Sequence, residues 1–189
     1  MMMRGHMMER PLMISDILVH ADRCHGRQEI VTRLPESGQF HRYGYRDAHT
    51  RSRQLANALT RSLKIKPSDR VSTIAWNSHR HFELYYAVSG IGAIVHTVNP
   101  RIDPKQIAWM LDHANSRAVF FDIQFAPLVD AIAKHCKTVK TWVLMTDKSF
   151  KDKVKTKCET YEELVGAQSD DYEWPLFDEY AASALCYTS

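Results

Sequence analysis

Between Val71 and Met145 the chain alternates short apolar runs with amphipathic stretches, and this alternation limits the fold more than any other feature. Val71 to Ala75, Ile94 to Val98, Ala118 to Asp122 and Val139 to Met145 read as strands. The segments between them carry apolar residues at helical spacing. Strand and helix alternating through short connections require right-handed crossovers, and hence a parallel sheet. The strands are apolar on both faces, as expected of a sheet covered by helices on both sides. The first two begin about 23 residues apart, which suits compact strand–helix–strand units. The units share no sequence, so this is not a repeat array. The expected class is α/β, with a largely parallel sheet and helices on both faces.

Local signals place the helices. Ser78 can cap a helix running to about Ser89, with Phe82, Tyr85, Tyr86 and Ser89 facing inward and Gly90 and Gly92 at its end. Asp103 is an N-cap candidate, Pro104 suits the first helical position, and Gln106 completes a capping box. Ile107, Met110, Leu111 and Ala114 form that helix's buried stripe, with Asn115 as a left-handed stop. Phe125 to Cys136 reads as a further helix, buried through Leu128, Val129 and Ile132. Ahead of the alternating region, Ile14 to Ala21 suggests a helix capped by Ser15 or Asp16 and ended by Gly26. Glu29 to Leu34 and Phe40 to Tyr45 flank a Pro35–Gly38 turn and read as a hairpin. A long helix, Asp47 to Leu63, buries Ala48, Ser52, Leu55, Leu59 and Leu63 and turns Arg46, His49, Arg53 and Arg61 outward. It stops before the Pro67-Ser68-Asp69 turn.

After Met145 the chain becomes polar, with a short helix at Tyr161 to Val165 and an acidic, aromatic crossing from Ser169 to Tyr180. Ala182 to Tyr187 reads as a last buried strand, followed only by Thr188 and Ser189. Such a strand needs a covering helix, so the chain is expected to be truncated there. Residues 1–10 are expected to be disordered or start-site residues, with Met7 or Met8 as the natural start.

Charge and composition exclude some functions. With 25 basic and 22 acidic residues the net charge is +3, and the basic residues are scattered, so nucleic acid is not an expected partner. The densest run, Lys148 to Lys157, alternates with Asp152, Thr156 and apolar residues just after Asp147 and reads as a solvated loop or helix face. Cys24, Cys136, Cys158 and Cys186 form no Cys-x-x-Cys pair, which suggests reduced thiols and a cytoplasmic location. No apolar run reaches the roughly 18–20 residues of a membrane span. The N-terminus, broken by Arg4, His6, Glu9 and Arg10, is a poor secretion signal.

Three segments, in order, resemble the adenylate-forming superfamily, and within it the medium- and long-chain fatty acyl-CoA ligases. The first is Tyr43-Gly44-Tyr45-Arg46-Asp47-Ala48, followed by Leu55-Ala56-Asn57-Ala58-Leu59. The second runs from Ala75-Trp76-Asn77-Ser78-His79-Arg80-His81 through Gly90-Ile91-Gly92-Ala93 to His96-Thr97-Val98-Asn99-Pro100-Arg101. The third, Leu185-Cys186-Tyr187-Thr188-Ser189, is similar to the start of the family's phosphate-binding loop, whose later glycines and lysine are absent here. The resemblance covers about residue 10 to residue 189. It implies that 11–189 is part of an N-terminal AMP-binding domain.

The resemblance also implies a reaction. A carboxylate such as a fatty acid attacks the α-phosphorus of ATP, and coenzyme A then displaces AMP from the acyl-adenylate. The first step builds charge on phosphate oxygens and needs oriented N–H groups, hydroxyls and Mg²⁺. Thr188 and Ser189 are the implied nucleotide-phosphate contacts. No position matches the family's catalytic or metal-binding motifs, so the chain alone is expected to be inactive. Peripheral membrane contact and a homodimer are partner expectations of the same kind.

Other residues are weighed against plainer roles. His79 and His81, two apart on a helix, point to different faces, so capping and solvent exposure are expected for them rather than a metal. Asp122 ends a strand where open α/β sheets bind ligands, but is expected to cap the next helix. Asn99 marks a turn, and Arg101 is open to either a substrate or a structural role. Phe82, Tyr85 and Tyr86 are expected in the core rather than in an acyl pocket. Two other readings stand beside the ligase. One is a non-catalytic α/β module that binds a nucleotide or a protein. The other is a superfamily relative acting on aryl or short-chain acids, or a luciferase-type oxygenase.

Overall fold

A computed structural model describes residue 3 and residues 5–188. Its centre is a six-stranded sheet in the order β7-β6-β5-β3-β4-β8, with every recorded pairing parallel. The strands are β3 (Arg70–Ile74), β4 (Ile94–Thr97), β5 (Ser116–Phe121), β6 (Thr141–Leu144), β7 (Glu159–Thr160) and β8 (Ala184–Cys186). Ahead of them an antiparallel hairpin, β1 (Glu29–Arg33) and β2 (Phe40–Gly44), turns through Pro35–Gly38 as expected.

The two-sided apolarity of the strands produces two core layers. Val71, Val95, Phe120 and Val143 face α2 (Tyr45–Asn57), α3 (His79–Gly90) and α6 (Tyr161–Gly166). Ile74, Val119, Phe121 and Leu144 face α4 (Pro104–His113) and α5 (Ala126–Ile132). Successive residues of one strand thus enter opposite layers, as the pleat requires. The first helix, α1 (Ile14–His25), packs on α2 and α3. Asn115 adopts the left-handed conformation expected of it, with φ of 52°.

Several local expectations are corrected. Ser15 and Asp16 do not cap α1: Met13 is the N-cap, Ser15 is buried within the helix, and Asp16 pairs with Arg10. The long helix does not run unbroken to Leu63. It ends in a π turn, Ala58–Ser62, closed by Leu63 N–H donating to Ala58 O. His49 is buried rather than outward. The Asp103 carboxylate caps Lys105 N–H, but Gln106 makes no reciprocal bond among those described. The stretch expected as one helix from Phe125 to Cys136 is α5 flanked by two 3₁₀ turns. β7 went unread in the polar region, and β8 is an edge strand with Ala184 and Cys186 exposed, not a buried one.

The largest correction concerns α3. Phe82 and Tyr86 are half-buried and Tyr85 is 41% exposed, whereas His79, Arg80, His81 and Glu83 are buried. The reason is what surrounds the helix. The hairpin brings Thr32, His41 and Tyr43 against its first turn, while α2 and α6 supply Arg51 and Glu162 as partners for its charges. Polar groups with partners can be buried, and here they displace the aromatic face outward.

Candidate functional site

The candidate site lies along the C-terminal ends of the parallel strands. β8 pairs with β4 in the register Val95↔Ala184, His96↔Leu185 and Thr97↔Cys186. That register carries Tyr187 and Thr188 to the sheet edge beside Val98 and Asn99. Thr97 Oγ1 and Cys186 Sγ lie 3.3 Å apart. Thr188 is exposed and lines a cavity of about 560 Å³ with Thr97, Asn99, Gln106, Trp109 and Tyr187. Its hydroxyl can donate to or accept from a ligand in that space. Ser189, the other expected contact, lies outside the described residues.

Trp109 and Tyr187, which line this cavity, pack against imidazole rings. Tyr187 Oη is 2.6 Å from His113 Nδ1, and Trp109 stacks on His113 with ring centroids 4.6 Å apart. The Tyr187 ring also lies 5.2 Å from His96. His96 is fully buried between strands, with Nδ1 2.8 Å from Ser72 Oγ and Nε2 without a hydrogen-bond partner among the described residues. Burial pushes its pKa down to about 4, so the ring is neutral near pH 7. The site therefore offers hydroxyl and amide groups and ring faces around Thr188.

A second cluster forms where β3 and β5 end. Asp122 accepts from Trp76 N–H at 2.7 Å and makes no side-chain bond to the following turn, so the expected capping role is replaced by a bond across the strand ends. Burial pushes its carboxyl up to about 6. Trp76 Nε1 donates to Gln124, and the Arg101 guanidinium lies 5.8 Å from the Trp76 ring. Asn99 accepts from Arg101 N–H and holds the turn. Trp76 thus gathers Asp122 and Arg101, which the sequence placed apart, into one structural unit.

His79 and His81 are not solvent-exposed caps. His81 bonds Thr73 Oγ1 at 3.0 Å and Trp76 O at 3.1 Å, and His79 stacks on His41 with centroids 4.0 Å apart. Phe82 and Tyr85 line a cavity of about 320 Å³ beneath the hairpin with Thr32 and Asn77. Among the described residues, no group of three His, Cys, Asp or Glu side chains is placed to hold a metal ion. Sequence reasoning missed the charged network behind this region. Arg80 reaches Glu162, Glu36 and Met145 O, and Glu83 meets Arg51 and Tyr161. The opposite charges of Arg80 and Glu83, three apart on one helix face, were the available signal.

Comparison with known proteins gives a consistent result. The family model described as AMP-binding enzyme matches residues 19–189. The chain is 43% identical to the 3-methylmercaptopropionyl-CoA ligase of Ruegeria lacuscaerulensis, over 99% of this chain and 34% of that protein. It is 41% identical to the medium-chain-fatty-acid–CoA ligase of Ectopseudomonas oleovorans, over 99% and 34%. Among solved structures, the anthranilate CoA ligase AuaEII in complex with anthranoyl-AMP superposes with a TM-score of 0.82 at 16% identity, over 99% of this chain and 34% of that one. The chain spans about a third of the length of the curated relatives it matches.

Proposed function

The chain belongs to the AMP-binding enzyme family, and on that premise we propose that it forms the front of the AMP-binding domain of an acyl-CoA ligase. In this reading residues 11–189 belong to that domain, and the full-length protein uses ATP to activate an aliphatic carboxylic acid, a fatty acid foremost, and passes the acyl group to coenzyme A. The observation that carries the proposal is the identity of 43% and 41% to two CoA ligases across nearly the whole chain. The geometry is compatible with it: Thr188 follows a parallel strand at the sheet's C-terminal edge, where open α/β sheets take their ligands.

The residues described here fit part of that task. The Thr188 hydroxyl would bond a phosphate oxygen of ATP, and Ser189 would continue the contact. When bound, Mg²⁺ would supply charge neutralisation at the phosphates. Among the described residues no three His, Cys, Asp or Glu side chains are gathered around an ion, and Thr188 is the described group that would face the phosphates it neutralises.

The test is product analysis on the full-length gene product with ATP, Mg²⁺, coenzyme A and acids from short thioether-bearing to long-chain. Acyl-CoA formed with stoichiometric AMP and pyrophosphate supports the proposal. Formation of ADP, or no acid-dependent AMP at all, would rule it out. The isolated 189-residue chain is expected to release no AMP.

A further inference from the structure

We propose that Asp22, His49 and Trp174 form a proton-sensitive latch that seats the strap of residues 168–183 and, through it, the edge strand β8. The strap crosses α2 and α3 and is held mostly by neutral contacts. Asn57 Nδ2 donates to Ser169 O and Asp171 O, and Ser183 O accepts from both Val95 N–H and Ser89 Oγ. At its centre Trp174 lies against Gly90, where an added methyl group would stand 2.5 Å from the indole.

The chemistry of the Trp174 contact fixes a tautomer. Trp174 Nε1 lies 3.1 Å from His49 Nε2, and an indole nitrogen only donates. His49 Nε2 must therefore carry the lone pair, which places the proton on Nδ1, 2.8 Å from Asp22 Oδ2. Protonation of the ring would put an N–H at Nε2 facing the indole N–H. Asp22 accepts from Nδ1 in either state, so the bond to Trp174 is the one that is lost.

The charges around His49 come from α1, α2, the strap and the segment ahead of α1. Asp22 on α1 also pairs with Arg46 of α2 at 3.5 Å. Arg53, one turn beyond His49, pairs with Asp170 of the strap. Arg10, Asp16, Arg23 and Glu173 line the same cavity of about 730 Å³, which gives protons a solvent route to the ring. The latch does not depend on the ligase reading, because it concerns only how the strap is held.

The test follows the Trp174 indole N–H by NMR as the protein is acidified from about pH 8 to about pH 5, a range in which imidazoles as a class change charge and carboxylates mostly do not. Trp174→Phe assigns the signal. In the wild type the indole proton is expected to exchange with water about five- to tenfold faster at the acid end, after correction for intrinsic exchange, as expected for one lost hydrogen bond. Cleavage within 168–183 by added protease should rise in parallel. His49→Gln keeps an acceptor toward Trp174 and a donor toward Asp22 without titrating, so its strap should show no such pH dependence. Trp174→Phe, which fills the Gly90 contact but has no N–H, should show pH-independent cleavage. A wild-type strap equally protected at both ends of the range, or His49→Gln and Trp174→Phe strap cleavage that rises with acid as the wild type's does, would overturn the proposal.

Discussion

Arg51 on α2 and Glu83 on α3 meet through Nε and Oε1 at 2.8 Å, and the Glu83 side chain has no solvent exposure. Tyr161 of α6 donates to the other carboxylate oxygen at 2.6 Å. Burial pushes the Glu83 carboxyl above its ordinary range, and Arg51 and Tyr161 pull it part of the way back. One carboxylate thus ties together the three helices on that side of the sheet. Arg51→Met leaves it buried without its cation, which costs about 3 kcal/mol in comparable cases. Urea unfolding should show that loss at neutral pH. The deficit should shrink on acidification, as Glu83 takes up a proton. A loss below about 1 kcal/mol would mean that the pair contributes little beyond its own desolvation.

Gly90→Ala sets two opposing effects against each other. Alanine gains about 1 kcal/mol in helix propensity over glycine. The new methyl would stand 2.5 Å and 2.7 Å from two ring carbons of Trp174, so the strap must shift. Overpacking of this kind costs about 1–3 kcal/mol, and the clash is expected to win. Trp174→Ala in the same background should restore the propensity gain, giving a strongly non-additive double mutant. Additive effects would show that the indole does not occupy this place in solution.

Much of the fold was legible because it rests on periodicity and capping. The strands from Val71 to Met145 and the cap at Asp103 are local signals, and the structure repeats them. The orientation of α3 was not legible, because it depends on partners far along the chain. Arg80 meets Glu36 and Glu162, and no window around Arg80 contains either. The aromatic residues Phe82, Tyr85 and Tyr86 gave the stronger local signal and pointed to the wrong face. For the candidate site, the place of Thr188 followed from a strand read in sequence. Trp109 and His113 stack four apart on α4, but Tyr187 reaches them only through the pairing of β8 with β4.

Thr188 gives an activity prediction for the full-length protein. Removing one positioned hydrogen-bonding group from a charge-stabilising site typically costs about 10²-fold in rate. Thr188→Val is expected to lower kcat/KM for acid-dependent pyrophosphate release by about that factor, and Thr188→Ser should restore most of it. Steady-state rates at varied ATP decide the matter. Thr188→Val within threefold of wild type would remove this residue from the phosphate site.

Asp122 and His96 should pull the pH dependence of stability in opposite directions. The folded pKa of Asp122, about 6, lies above the ordinary carboxylate value of about 3.9. The native state therefore holds that proton more tightly, and this group adds stability as pH falls from above 6 toward 4. His96 and His79 do the reverse, since burial lowers them to about 4 and about 2. Their contribution is complete above the ordinary imidazole value of about 6.5 and is lost as pH falls below it. Asn at position 122 can still accept from Trp76 N–H, but it neither titrates nor carries a buried charge. Asp122→Asn should therefore be more stable than wild type near pH 8, by at most about 3 kcal/mol. It should lose that advantage by about pH 4, because Asp122 of the wild type has by then taken up its proton, while the histidine effect is common to both proteins and cancels in the comparison. Urea unfolding at several pH values across that range measures the difference directly. Parallel curves for the two proteins would show that Asp122 titrates like an exposed carboxylate, and that its bond to Trp76 does not hold it out of water.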